Sequence, residues 1–596
     1  MLAREDALTA LAENDFDVVV VGGGITGAGV ALDAAARGYS VALLERADFA
    51  SGTSSRSSKL VHGGLRYLQH FDLGLVREAL LERQLMVALA PHLVRPLPLV
   101  VAAFEGARPD RLVGVGLNLY DVMSVTDRRS AGDRIRARRS RRPRGEQAHG
   151  SCADAIPVEV VDGADSWSPE RHRVISGEEV IELLPGLATR EPTSGYLFYD
   201  CQTDDARLVL TVLGEAERFG AICANRLRVT GVLERDGRAC GVRVTDVEAA
   251  VSFEVRAANI VNATGVWADE LADHDRAVGE RHDETELPVI RPSRGTHLVV
   301  GNESLPVVGG AIVPAGGGRT IFALPWLGRT LIGTTDNDYV GSLDHVRPSA
   351  HDIDYLLDAV NDFFAIKLRR DDIVGAFAGV RPLISMGDTK KSVDISRRAE
   401  MYETSSGMIT ITGGKLTTWR RMAKLVVDRL VEREAREARC RTAEIPLGQA
   451  IAASDLPSVA GVSEQARAAL AARYGYGAHE LIDLIRATPS LGEPIVPGLP
   501  DLLAEAVLAA RREQARSVGD VLLRRTRLGL IAARELLGGE MAPGRADGSE
   551  GHPHVERVAA ALAGELGWDA PRTASEVECF LEEAQLEGIL VGSQDD

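Results

Sequence analysis

The six cysteines of this chain (Cys152, Cys201, Cys223, Cys240, Cys440 and Cys579) show no pairing pattern and no C-x-x-C. That argues against a zinc site or a disulfide framework and suits a reducing compartment. Long apolar runs are also missing, and none approaches the roughly 20 residues a membrane-spanning helix needs. Met1 to Asn14 are polar and acidic, with no apolar core, so no secretory signal is expected. Basic charge is short as well: 68 Lys and Arg against 86 Asp and Glu leave a net −18. This argues against general nucleic-acid binding and does not exclude a local basic patch. No internal repeat is visible.

What is present is ordinary for a globular protein, 45% hydrophobic and 26% charged residues. At 596 residues the chain is too long for one hydrophobic core, so two to four domains are expected.

The chain is organised around Asp17 to Glu45. Val18 to Val21 read as a strand buried on both faces. Gly22-Gly23-Gly24-Ile25-Thr26-Gly27 then fits G-x-G-x-x-G and opens a helix, with Gly38 as its C-cap. Such glycines allow a tight turn, close backbone approach to a pyrophosphate, and close packing of helix on sheet. The helix N-terminus offers free N–H donors and a positive dipole end. A second strand, Ser40 to Leu44, ends in Glu45, an acid placed to accept hydrogen bonds from a ribose. The motif alone is weak evidence; strand, turn, helix and acid together predict dinucleotide binding. A glycine-rich turn in some other α/β protein is the competing reading. The uncharged run Val18 to Leu32 is too short and glycine-rich for a membrane span.

Further along, Phe49 to Lys59 is small and polar and reads as a loop or helix start. Leu60 to Leu68 gathers His62, Gly63, Gly64 and Arg66. His62 can exchange a proton near neutral pH and Arg66 can grip an anion; a mobile loop with an incidental histidine is the alternative. Asp127 to Glu146 holds nine arginines, either a solvated insertion or a contact for anionic lipid or another polyanion. Ser176 to Glu179 has the form of a capped helix start. Strands are expected at Arg95 to Phe104, Gly195 to Asp200, Arg291 to Val300, Val374 to Leu383, Ser392 to Ser396 and Met408 to Thr412. A strand pair, Asn225 to Leu233 and Gly241 to Val255, turns at Asp236-Gly237. Asn259 to Ala268 reads as a short buried strand, small residues, then helix. Gly413 to Arg420 is a second glycine turn opening a helix. From about residue 440 the pattern is helical, with amphipathic segments at Ser463 to Tyr474, Asp501 to Arg516 (Asp501 as N-cap) and Val518 to Leu537.

Several of these segments resemble the FAD-dependent glycerol-3-phosphate dehydrogenases. They are Thr53 to Leu68, Asp204-Asp205-Ala206-Arg207-Leu208, Asn262-Ala263-Thr264-Gly265, Ile332-Gly333-Thr334-Thr335-Asp336, Gly379-Val380-Arg381-Pro382-Leu383, Gly413 to Thr418, and Asp520 to Arg527 in the tail. The similarity runs through most of residues 15–535, and the Arg-rich stretch 127–195 departs from it.

The resemblance implies an α/β fold with an FAD-binding Rossmann-like domain of the glutathione-reductase and D-amino-acid-oxidase type. The expected boundaries are 15–95, 200–290 and 371–435 for that domain, 96–199 and 291–370 for an interleaved antiparallel-sheet substrate domain, and 440–596 for a helical C-terminal domain. The implied reaction oxidises sn-glycerol 3-phosphate to dihydroxyacetone phosphate, with hydride passing from C2 to FAD. His62 is the implied base, typically worth about 10²–10⁴-fold, and Arg381 would stabilise negative charge on the C2 oxygen. Arg66, Tyr67, Arg397 and Lys415 would hold the phosphate. FAD contacts are implied at Gly22, Gly24, Ile25, Thr26, Gly27, Glu45, Arg46, Thr53, Ser54, Lys59, Leu60, His62, Val229, Ala263, Thr264, Gly265, Trp267, Gly333, Asp336, Gly414, Lys415, Leu416 and Thr417. No metal is expected.

Electrons would pass to a membrane quinone from a cytoplasmic, peripherally attached homodimer on the inner face of the cell membrane. The arginines at 128–144 and near 511–527 are candidate attachment patches. The closest alternative is an α-glycerophosphate oxidase using oxygen. An amine or amino-acid oxidase and a non-enzymatic flavoprotein or nucleic-acid binder are more distant.

Overall fold

The computed structural model describes residues 1–64, 73–104, 111–123, 171–271, 289–385, 399–538, 540–541 and 550–591. The candidate phosphate ligands Arg66, Tyr67 and Arg397, the Arg-rich run and the expected strand Ser392 to Ser396 lie outside these residues.

The first strand, Asp15–Val21, sits inside a sheet. It pairs in parallel with Val41–Leu44 on one side and Val251–Asn262 on the other. Its four valines divide between two cores. Val18 and Val20 face the helices Ile25–Ala36, Asp205–Arg218 and Trp419–Arg433, while Val19 and Val21 face a second cluster that includes Ala7 and Leu11. Period-two alternation with both sides apolar is what a strand buried on both faces requires. Gly29 lets the first of these helices approach the third: a Cβ there would lie 2.6 Å from the Trp419 ring. The predicted strand pair is present as Leu227–Arg235 and Arg238–Asp246, and Asp236 and Gly237 both take the positive φ that a tight hairpin needs. The predicted second arm is two strands, interrupted at Val247 to Ala250, and the latter, Val251–Asn262, continues into the parallel core.

A second, mostly antiparallel sheet runs Asn337–Asp338, Val289–Gly301, Arg329–Gly333, Arg319–Trp326, Gly310–Ala315, Arg95–Ala103, Ser194–Gln202, Leu60–Val61. Ile373–Ser385 lies along Val289–Gly301 for nearly its whole length. This differs from the predicted partition, which put residues 371–435 with the nucleotide-binding segments. Pairing along Val289–Gly301 fixes this strand in the second sheet, with Ala376 in one core and Phe377 in another. Leu60–Val61 likewise crosses into this sheet, pairing with Ser194–Gln202. One face of the sheet is covered by Gly177–Leu183 and Ala350–Phe364. The helix at Gly177 begins with the predicted capping box between Ser176 and Glu179.

The helices beyond residue 440 cover the other face, placing Leu522, Leu523 and Leu528 against Leu99, Trp326 and Phe377. Two details of this region differ from the sequence reading. Asp501 does not cap the helix Leu503–Glu513; it is buried against Arg473 at 2.7 Å, and the Leu502 N–H donates to Glu505 instead. The predicted helix Val518 to Leu537 is broken into a widened turn at Asp520–Arg525 and two short helices, with Arg527 at φ +70°. Across this widened turn Arg524 and Arg525 both bind buried Asp48, at 2.5 and 2.7 Å.

Asp48→Ala strands two buried guanidinium groups and is expected to cost about 3–5 kcal/mol. Arg511→Ala, which breaks a half-exposed pair with Glu565, is expected to cost at most about 1 kcal/mol. Urea unfolding of the two variants beside the parent protein checks the contrast.

Candidate active site

The turn after the first strand is shaped by backbone contacts. Gly22 holds φ +112°, and a Cβ there would lie 2.6 Å from the Ala263 carbonyl oxygen. A Cβ on Gly27 would lie 1.9 Å from the Gly22 carbonyl oxygen, so this glycine serves packing of helix on turn. Both Glu45 oxygens accept backbone N–H groups, Gly23 at 2.7 Å and Ala47 at 2.8 Å. The carboxylate thus braces the glycine turn as well as facing the cavity. Burial raises its pKa, against the pull of those two N–H donors. At the helix N-terminus the Ile25 N–H donates to Ser54 Oγ at 3.0 Å.

These residues open onto a cavity of ≈ 1850 Å³. Near Glu45 it is lined by Arg46, whose guanidinium lies 4.3 Å from the Trp267 ring, and by Val229. Ala263, Thr264 and Gly265 continue the wall. At the far end the second glycine turn contributes Gly414, Lys415, Leu416 and Thr417. The cradle suits FAD: a glycine turn with no room for a side chain, a helix N-terminus, an acid at the end of the second strand, and a chamber large enough for the whole group. Gly22, Gly24, Ile25, Thr26 and Glu45 would hold its phosphates and ribose, and the turn Gly414 to Thr417 would face its other end.

The cavity brings together residues far apart in sequence. His62 follows the short strand Leu60–Val61; its N–H donates to Thr417 Oγ1 at 3.1 Å, and that hydroxyl lies 3.3 Å from the His62 carbonyl oxygen. Arg381, on Ile373–Ser385, donates to Thr334 Oγ1 at 3.1 Å and to the Thr335 carbonyl at 3.3 Å, and lies 3.4 Å from Asp336. His62, Arg381, Asp336 and Lys415 all line the one cavity, as do Thr53, Ser54 and Leu60.

Three predicted contacts do not line it. Gly27 packs beneath the turn. Gly333 is pressed against His297, where a Cβ would lie 2.4 Å from the imidazole. Lys59 is fully buried and turns away from the cavity, donating to Asp205 at 2.8 Å and to the Ser55 carbonyl at 2.7 Å. Burial and nearby Arg527 lower its pKa to about 7, against the pull of Asp205. The physical reason is a partner distant in sequence: Asp205 holds the Lys59 ammonium in the interior, and Lys59 takes φ +60° there. Arg524, Arg525 and Arg527 are also buried, in pairs with Asp48 and Asp205, so these three form no membrane patch.

His297 was missed. It is buried, lines the cavity, meets Ser58 Oγ through Nε2 at 2.9 Å, and stacks on Phe377 at 4.8 Å. Burial, then Lys59 and Arg381, hold its pKa well below the ordinary histidine value, keeping the ring neutral. The signal was the strand period: Gly295 and His297 share a face of Val289–Gly301, and both line the cavity. Arg319 also reaches the cavity, from the strand Arg319–Trp326.

The fold and cradle are those of an FAD-dependent oxidoreductase, and the family model of that description matches residues 17–429. A second model, the C-terminal domain of alpha-glycerophosphate oxidase, matches residues 440–573. Aerobic glycerol-3-phosphate dehydrogenase of Bacillus subtilis is 33% identical over 88% of this chain and 89% of its own length. Glycerol-3-phosphate dehydrogenase 1 of Mycobacterium tuberculosis is 37% identical over 89% of this chain and 95% of its own. Among solved structures, the glycerol-3-phosphate dehydrogenase of Bacillus halodurans complexed with FAD matches with a TM-score of 0.71 and 25% identity, covering 100% of this chain and 98% of that one. The chain belongs to the FAD-dependent glycerol-3-phosphate dehydrogenase family, and FAD is its cofactor.

Gly22→Ala is expected to abolish flavin retention, because the methyl group meets the Ala263 carbonyl while the backbone stays at positive φ. The absorbance of the purified variant near the flavin bands, compared with the parent protein after supplementation with FAD, checks this.

Proposed function

We propose that this enzyme oxidises sn-glycerol 3-phosphate to dihydroxyacetone phosphate and passes the electrons to a membrane quinone. The observation that carries the reading is the convergence of His62, Arg381 and Lys415 on the cavity that also holds the glycine cradle. Bound FAD supplies the acceptor for the two electrons that leave C2 as hydride. The hydroxyl proton goes to His62, and the C–O bond becomes a carbonyl. The Thr417 hydroxyl, paired with both backbone groups of His62, keeps the histidine against the turn that carries Lys415. Arg381 offsets charge developing on the C2 oxygen, and its tether to Thr334 and Thr335 limits the reorganisation this requires. Lys415 grips the phosphate, joined by Arg66, Tyr67 and Arg397. A dianion held by several fixed cations is oriented as well as bound. Neutral His297 and Arg319 complete the polar wall.

No helix among the described residues is long and apolar enough to cross a membrane. The same reading includes peripheral attachment to the inner membrane face as a homodimer, with the arginines at 128–144 as the contact to anionic lipid. Oxygen as acceptor is the second reading, favoured by the match of residues 440–573 to a domain named for an oxidase.

Anaerobic mixing with sn-glycerol 3-phosphate should bleach the flavin absorbance. His62→Asn should slow the bleaching by about 10²–10⁴-fold. Adding a quinone analogue or oxygen to the bleached protein, with peroxide measured, separates the two acceptors. A yellow protein that this substrate does not bleach sinks the substrate assignment. Deleting residues 128–144 should reduce recovery with membrane vesicles rich in anionic lipid; undiminished recovery removes that segment as the contact.

A further inference from the structure

We propose that Arg527 and Asp205, neither of which lines the reaction chamber beside His62 and His297, are positioning residues for the chemistry there; this rests on the substrate reading above. Asp205, the first residue of Asp205–Arg218, is fully buried. Its carboxylate accepts from the Ser57 N–H at 3.0 Å, the Ser57 hydroxyl at 2.6 Å and Lys59 Nζ at 2.8 Å, and it is paired with Arg527. Arg527 Nη2 also donates to the Ser55 carbonyl at 3.2 Å, and Lys59 Nζ donates to that same oxygen. Ser55, Ser57 and Lys59 are thereby tied to one buried charge cluster.

Ser58, between two of these anchors, faces the other way, and its hydroxyl meets His297 Nε2 at 2.9 Å. A second path reaches the same ring. Lys59 Nζ lies 4.8 Å from the Phe377 ring centroid, and Phe377 stacks on His297. The backbone then runs through Leu60 and Val61 to His62. Both histidines thus take their position from a segment whose alternation is fixed by Asp205.

Stability alone is a weak reason to keep such a cluster. Well-packed apolar residues often replace a buried ion pair at no loss, because two charges must be stripped of water. What the cluster supplies is directional bonding: a carboxylate and two cations fix three alternate positions, Ser55, Ser57 and Lys59, which apolar contacts of the same volume do not. Arg527 is at the same time part of the C-terminal domain, so that domain contributes to the reaction through a residue that does not itself line the cavity.

The test uses the full-length, flavin-loaded protein. Arg527→Met is expected to lower the limiting rate of anaerobic flavin bleaching about 10²-fold, the scale on which small displacements of a reacting group are felt. KM and flavin content should stay near wild type, the visible circular dichroism of bound FAD should change, and Arg527→Lys should recover part of the rate. A limiting rate that stays at wild type in loaded Arg527→Met, or falls only in proportion to lost flavin, overturns the proposal. If Arg527→Met does not fold, Ser57→Ala carries the test, since it removes only the hydroxyl that joins loop to carboxylate. Slowing at unchanged KM is again expected, and an unchanged rate overturns the proposal. If the wild-type protein is not bleached by sn-glycerol 3-phosphate, the substrate reading has failed. The positioning role is then judged from the circular dichroism of bound FAD across the same variants, where unchanged spectra overturn it.

Discussion

The constraint on which this architecture depends is the neutralisation of two buried carboxylates, Asp48 and Asp205. Both are fully buried, and both are met by arginines of the C-terminal domain. Neither partner set can leave alone. An unpaired charge in such a place is several kcal/mol less favourable than in water, whereas the intact cluster is close to balanced. The C-terminal domain is therefore held to the nucleotide-binding loops by a contact that is complete or strongly unfavourable. Asp520 strengthens it from within, binding Arg524 at 2.7 Å and Arg226 at 2.8 Å. Arg207, paired with Glu513, ties the helix that carries Asp205 to the same domain. The apolar part of the interface lies elsewhere, where Leu522, Leu523 and Leu528 pack against the second sheet. Burial supplies most of the association and charge fixes its register.

That division explains which parts of the molecule could be read from sequence. The strand, glycine turn, helix and acid of Asp17 to Glu45 are local, and each obeys a rule that spans a few residues. The capping box at Ser176, the hairpin at Asp236-Gly237 and the helical character beyond residue 440 are local too. What was misread depends on partners hundreds of residues away. Lys59 looks like a cofactor ligand within its segment, and only the approach of Asp205 and Arg527 turns it inward. The arginines at 524–527 look like a solvated face until Asp48 and Asp205 arrive. Ile373–Ser385 carries no sign in its own sequence of which sheet it will join; the register with Val289–Gly301 settles it. His297 was visible in principle, since the strand alternation places it beside Gly295.

Net charge conveys little about the site. The protein carries −18 overall, yet Lys415, Arg381 and Arg319 all line its main cavity. A dianionic substrate would be repelled at long range, but at physiological salt that field fades within about 8 Å. Carboxylates line the same cavity, Asp336 among them at 3.4 Å from Arg381, so the placement of individual cations rather than the summed charge would decide how an anion is held. Bonds to Thr334 and Thr335 hold Arg381 in position before any substrate enters.

The segment from Glu45 to His62 joins these parts. Its middle, Phe49 to Lys59, is small, polar and rich in serine and reads as a loop or helix start. In the folded chain its side chains are nearly all engaged. Glu45 braces the glycine turn, Asp48 takes two arginines, and Thr53 donates to the Val380 carbonyl at 2.6 Å. Ser54 accepts the Ile25 N–H, Arg56 binds Glu587 at 2.5 Å, Ser57 binds Asp205, and Ser58 meets His297. Small hydroxyl side chains suit this task because they bond close to the backbone at low cost in side-chain entropy. Each end of the cavity is thus referenced to the same stretch of chain. A displacement of the C-terminal helices that moved Asp48 or Arg56 would therefore bear both on the glycine cradle and on His62.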